Sequence, residues 1–168
     1  MITPGYCHLM ARYNAWQNEN LIAAAQGLEP SDLTKFRGSF FGSIMATFNH
    51  LLWADTIWMS RLAGWDTPEG GIKASVSFTP NWGVFLRARR EADRQITEWA
   101  GRLEPEDLEG ALSWHSGALG HDVEKPFALC LTHMFNHQTH HRGQIHAMLT
   151  AAGATPGDTD LFAMPEGF

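Results

Sequence analysis

The sequence predicts an all-α protein, a four-helix bundle in one domain covering residues 1–168. Three observations lead there. Four long segments carry apolar residues at three-to-four-residue spacing, the period of a helix that buries one face. Proline or glycine punctuates the ends of those segments. At 168 residues and 44% hydrophobic composition, the chain has the size and apolar content of one domain with a real core.

The first segment runs from about Tyr6 to Gln26, with Pro4 at its approach and Gly27 at its stop. The second runs from about Ser43 to Ala63 and is ended by Gly64. Residues 64–79 are rich in Gly, Pro, Ser and Thr and read as a loop. The third segment starts near Pro80-Asn81-Trp82 and continues to about Arg102. Residues 110–125 suggest a small hairpin or loop insertion between the third and fourth helices. The fourth segment runs from about Pro126-Phe127 to Ala152, before Gly153. The tail from Ala154 to Phe168 carries two prolines and two glycines and is expected to lie extended over the domain. The long connections allow crossovers, so a simple up-down topology is not forced.

Composition narrows the function. A net charge of −6 and a pI near 5.8 argue against a nucleic-acid binder, which would show a basic stripe. No apolar run approaches the roughly 20 residues needed to span a bilayer. The first residues lack the basic and apolar regions of a signal peptide. Cys7 and Cys130 form no CxxC pattern and read as reduced thiols of a cytoplasmic protein.

The chemistry is concentrated in one place. Five of the nine histidines lie between residues 133 and 146: His133, His137, His140, His141 and His146. The pairs His133/His137 and His137/His141 have H-x3-H spacing, which on a helix puts two imidazoles one turn apart on one face. Imidazole is the commonest side-chain ligand for metals. At about 100° per residue, with His133 at zero, the core-facing stripe of Met134, Ile145, Met148, Leu149 and Ala152 falls between roughly 60° and 160°. His141 falls inside it near 80°, His137 at its edge near 40°, His133 and His140 further out, and His146 on the far side. The inward pair is His137/His141.

A catalytic zinc-like site usually has three protein ligands and one open position. His8, His115 and His121 lie near a terminus or in the hairpin, so His50 is chosen as the third ligand by elimination. The helical wheel is neutral about its facing. Asp55 falls in the apolar stripe of the second segment, where a carboxylate needs a partner. It could orient a ligating imidazole, although it sits about 140° round the helix from His50. Asn49, Asn136 and Gln144 are candidate polar wall residues. Arg142 is suited to an anionic substrate group, with a structural salt bridge as the plainer role. Cys130 shares the inward face of the fourth helix as a small core residue.

These residues resemble the DinB family, also described as DinB/YfiT-like metalloenzymes. The likeness rests on His50 in FNHLLWAD, on HMFNHQTHHRGQIHAMLTAAG with its core NHQTHHRGQ, on the opening ARYNAWQNENL, and on the tail GDTDLFAMPEGF. The resemblance implies a four-helix bundle with a crossover connection. It implies a divalent metal held by one histidine of the second helix and two of the fourth, here His50, His137 and His141. It leaves His133 and His140 as extra imidazoles near the site. The metals implied are zinc or nickel, or else iron or manganese. The implied partners are a small-molecule substrate and a second copy in a homodimer. The implied activity is transfer of a low-molecular-weight thiol to an electrophile, a detoxification or stress-response reaction. The alternatives are a metal-dependent hydrolase using activated water and a non-catalytic metal-binding stress protein.

Overall fold

The computed structural model of the protein describes residues 1–168. Four long helices dominate: α1 (Pro4–Gln26), α3 (Ile44–Leu62), α4 (Trp82–Ala100) and α5 (Phe127–Ala151). A short helix, α2 (Pro30–Thr34), joins α1 to α3. Strands β1 (Ala111–Ser116) and β2 (His121–Pro126) pair antiparallel, with Trp114 opposite Val123. This two-stranded sheet is the small hairpin expected over residues 110–125, and with it the fold is mostly helical rather than all-α. No helix is long and apolar enough to cross a membrane.

Local chemistry sets the helix ends. Thr3, Ser43 and Asn81 each accept a backbone N–H of the first turn of α1, α3 and α4. Gly64, with φ of 71°, and Gly153, with φ of 89°, turn the chain off α3 and α5 through the left-handed region that side chains avoid. The tail is held by α1. The Tyr13 hydroxyl donates to Thr159 O at 2.6 Å, Gln17 Nε2 donates to Asp158 O at 2.8 Å, and Arg12 reaches Phe168 O.

Each long helix packs mainly against two others: α1 on α4 and α5, and α3 on the same two. The core falls into two apolar clusters. One joins Leu21 and Ile22 of α1, Phe48 and Leu52 of α3, Phe85 of α4, and Ile145 and Leu149 of α5. The other joins Cys7 and Ala11, Met59 and Leu62, Ile96 and Ala100, and Leu131 and Phe135. The C-terminal halves of α1 and α5 thus meet the N-terminal halves of α3 and α4, so α1 and α5 run one way and α3 and α4 the other. Two successive helices that run the same way need a connection that returns along their length. Residues 63–81 make that return.

Between the clusters lies a polar layer fed by all four long helices. Asn14, Asn18, Asp55, Arg89, Gln138 and Arg142 are all buried there. Arg89 donates to Asp55 at 2.6 Å and to Asp93 at 2.8 Å, and Asn18 donates to Asp93 at 2.9 Å. Asn14 donates to Gln138 across α1 and α5. Burial pushes the Asp93 carboxyl up to about 6 against the pull of Arg89.

Breaking such a layer costs more than its net contribution, because the partners stay behind as buried charges. Arg89→Met should lower stability by about 3–5 kcal/mol in urea unfolding, since it strands Asp55 and Asp93. Arg90→Met, which removes an exposed pair with Glu19, should leave the unfolding midpoint nearly unchanged.

Candidate metal centre

The antiparallel packing of α3 on α5 brings three imidazoles to one point. His50 lies in the second turn of α3, and His137 and His141 lie one turn apart on α5. His50 and His141 are buried and His137 is half-buried. One ring nitrogen from each can be chosen so that all three lie within 4.8 Å of one another. His137 Nε2 stands 3.4 Å from His50 Nε2 and 3.1 Å from His141 Nε2. Two nitrogens bound tetrahedrally to one zinc-like ion at about 2.05 Å lie about 3.3 Å apart. The two separations at His137 match that edge, and the third pair, His50 and His141, completes a set lying within 4.8 Å.

Hydrogen bonds fix which nitrogen of two of these rings carries the proton. Ser75 Oγ donates to Ile72 O at 2.6 Å, so it can only accept from His50 Nδ1, 2.8 Å away. His50 therefore holds its proton on Nδ1 and turns the Nε2 lone pair toward the cluster. Gln144 Oε1 accepts from His141 Nδ1 at 2.8 Å and imposes the same tautomer there. Two lone pairs thus converge on His137 Nε2. A proton on His137 Nε2 can serve one of them at a time. A divalent cation serves all three nitrogens at once, and the donor set suits zinc, nickel, iron or copper.

Ser75 sits in the returning connection, and Asn49, next to His50, holds that segment in place. Asn49 Oδ1 accepts from Thr79 N at 3.0 Å and from Thr79 Oγ1 at 2.6 Å, and Asn49 Nδ2 donates to Val76 O at 3.3 Å. The Phe41 ring stacks on His50 with centroids 3.9 Å apart and lies 5.4 Å from the His141 ring. Apolar walls and burial keep the imidazoles neutral. Burial, reinforced by His141, lowers the pKa of His50 to about 4. Burial, reinforced first by His141 and then by His50, lowers that of His137 to about 3. His141 is also lowered by burial, opposed by its bond to Gln144. At neutral pH all three are in the metal-binding form.

The remaining candidates fall outside the cluster. His133 and His140 are exposed, with His133 one turn before His137 and His140 accepting from Gln144 Nε2 at 3.1 Å. Asp55 makes no hydrogen bond to an imidazole: its Oδ2 is bound to Arg89 in the polar layer and its buried Oδ1 has no partner. Arg142 does not face the cluster either. It is buried with its guanidinium 5.5 Å from the Tyr13 ring and 3.3 Å from Thr139 Oγ1. Cys130 is a buried free thiol of the second apolar cluster, and Asn136 is exposed. Sequence reasoning missed Ser75 and Phe41. Both come from connections whose course depends on the whole fold, and neither carries a periodic signal.

The comparisons bear on the family and the fold. The family description of DinB matches residues 1–167, and the chain belongs to the DinB family. Among solved structures, it is similar to a DinB-like protein from Bacillus cereus. The TM-score is 0.65 at 19% sequence identity, over 87% of this chain and 90% of that one. No curated protein matches the sequence significantly.

Ser75→Ala should lower metal affinity about 10–100-fold while stoichiometry stays the same, since it removes the acceptor that fixes the His50 tautomer. Competition with a chromogenic chelator measures this. The depressed histidine pKa values also make the metal-free protein acid-sensitive. Below about 6.5 the unfolded chain takes up protons that the folded cluster refuses, so stability falls as pH drops toward 4 and 3. Urea unfolding in the presence of a chelator at pH 7, 6 and 5 should show this fall, and His137→Gln should make it shallower.

Proposed function

We propose that the protein is a metal-dependent enzyme that transfers a low-molecular-weight thiol to an electrophilic small molecule. In this reading the fold is a four-helix bundle with a crossover connection, and His50, His137 and His141 hold one divalent ion. Zinc and nickel are favoured, with iron or manganese as alternatives. The observation that carries the reading is the convergence of three Nε2 atoms, two of them with protons fixed on the opposite nitrogen by Ser75 and Gln144.

A bound divalent ion supplies a Lewis-acid position that makes a thiol a nucleophile at neutral pH. The chain's own residues do the rest. Three neutral imidazoles leave the positive charge of the ion uncompensated, which favours an anionic sulfur. Burial of His50 and His141 keeps competing water to one side of the cluster. Phe41 closes the face of His50 and presents an apolar surface to the electrophile. Membership of the DinB family supports a detoxification or stress role, a cytoplasmic location and a homodimer.

Hydrolysis through activated water would be helped by a free carboxylate base beside the ion. Asp55, the carboxylate considered for that role, is paired through Oδ2 with Arg89 in the polar layer and makes no hydrogen bond to any of the three imidazoles, which favours thiol transfer.

The test is a conjugation assay with zinc- or nickel-loaded protein, a panel of biological thiols and a fluorogenic electrophile such as monobromobimane, from which the thiol displaces bromide. The expected result is metal-dependent acceleration with at least one thiol, reduced to background in His141→Ala. Equal rates for wild type and His141→Ala would defeat the proposal.

A further inference from the structure

The sequence suggested Arg142 for an anionic substrate group, and the structure leaves that role to a different arginine. Four of the buried or half-buried arginines have an acceptor. Arg12 bonds to Phe168 O, Arg37 to Asp32, Arg89 to two carboxylates, and Arg142 to Thr139. Arg61, half-buried near the end of α3, makes no ion pair and no hydrogen bond. Its nitrogens are not among the buried polar atoms without a partner, so its donors reach solvent.

Its position is nonetheless built. The guanidinium carbon lies 4.7 Å from the Trp58 ring and 5.1 Å from the Trp114 ring, and the two indoles meet edge to face at 5.6 Å. Trp58 comes from α3 and Trp114 from β1, so the hairpin packs one wall of the clamp against the helix. Two aromatic faces hold the cation while its planar fork of five donors stays unused. That fork fits the two oxygens of a carboxylate.

The clamp is connected to the histidine cluster. The His133 ring lies 5.0 Å from the Trp58 ring and 5.8 Å from the His137 ring. Those steps put the guanidinium at most about 15.5 Å from the His137 ring. An extended tripeptide of about 10 Å, with a metal–sulfur bond at one end and a hydrogen-bonded carboxylate at the other, covers a span of that order.

We propose that Arg61, clamped between Trp58 and Trp114, binds a carboxylate of the small molecule whose other end reaches His50, His137 and His141. This rests on the metal-site reading above and adds the chemical class of its ligand. His133 lies along the path between the two ends and forms part of its wall.

The experiment uses the full chain loaded with cobalt(II), with cobalt stoichiometry measured before any thiol is added. Glutathione, its diethyl ester and 2-mercaptoethanol are then titrated in, and binding is read from the sulfur-to-cobalt absorption. Wild type should bind glutathione about 10–100-fold more tightly than its diester, the range expected for charge-assisted hydrogen bonds. Arg61→Gln should bind both alike at the weaker level, with cobalt stoichiometry and 2-mercaptoethanol affinity unchanged. Arg61→Lys, which keeps the charge and loses the fork, should fall between. Wild type that does not discriminate the ester would overturn the proposal, as would an Arg61→Gln variant that keeps the discrimination. Equal loss of glutathione and 2-mercaptoethanol in Arg61→Gln would show that the clamp only pins the hairpin, and would also overturn it. Failure to take up cobalt at all would defeat the metal reading first and this inference with it.

Discussion

Arg89 brings a full charge to a position only 1% exposed, where a lone guanidinium would lose several kcal/mol of hydration. Asp55 from α3 and Asp93 from the next turn of α4 answer it, and Arg142 from α5 balances the second carboxylate at longer range. Few registers of the helices satisfy these groups together. A slide of one helical turn would move Asp55 about 5.4 Å from Arg89 and leave both charges unpaired in a dry interior. The apolar clusters on either side are less selective, because aliphatic and aromatic side chains can repack at modest cost. The polar layer is therefore what sets the relative height of α3, α4 and α5.

That height is what the histidine cluster needs. His50 lies within five residues of Asp55 on α3, and His141 is the neighbour of Arg142 on α5. The elements that lock the charge layer also lock the level at which three imidazoles meet. The parallel run of α3 and α4 has a second consequence. It forces residues 63–81 to return along α3, and this return carries Ser75 past His50. Asn49 then ties the returning segment to α3 through Thr79 and Val76. The topology and the orientation of a ligating imidazole thus share one cause.

Much of this was legible in the sequence, and the rest was hidden for physical reasons. The four long helices begin and end within two residues of the expected positions, because periodicity and capping are local. The helix α2 escaped notice, since five residues are too few to show a period. On α5 the helical wheel put His141 inside the apolar stripe and His137 at its edge, and the structure has them buried and half-buried. The same wheel could not orient His50, because α3 is buried on nearly all sides. Asp55 was recognisable as a carboxylate in need of a partner. Its partner was not, since Arg89 approaches from another helix. Arg61 carries no signal of its own in the sequence, since Trp114, the second wall of its clamp, arrives from the hairpin.

The central claim is that the three converging imidazoles exist to hold one ion. The most direct test is the metal content of untagged protein by elemental mass spectrometry, beside His50→Ala, His137→Ala and His141→Ala variants that remain folded. The account predicts about one zinc or nickel per wild-type chain, lost in each variant. Wild-type protein that takes up no metal even after incubation with zinc and nickel would contradict it, as would full occupancy in the variants.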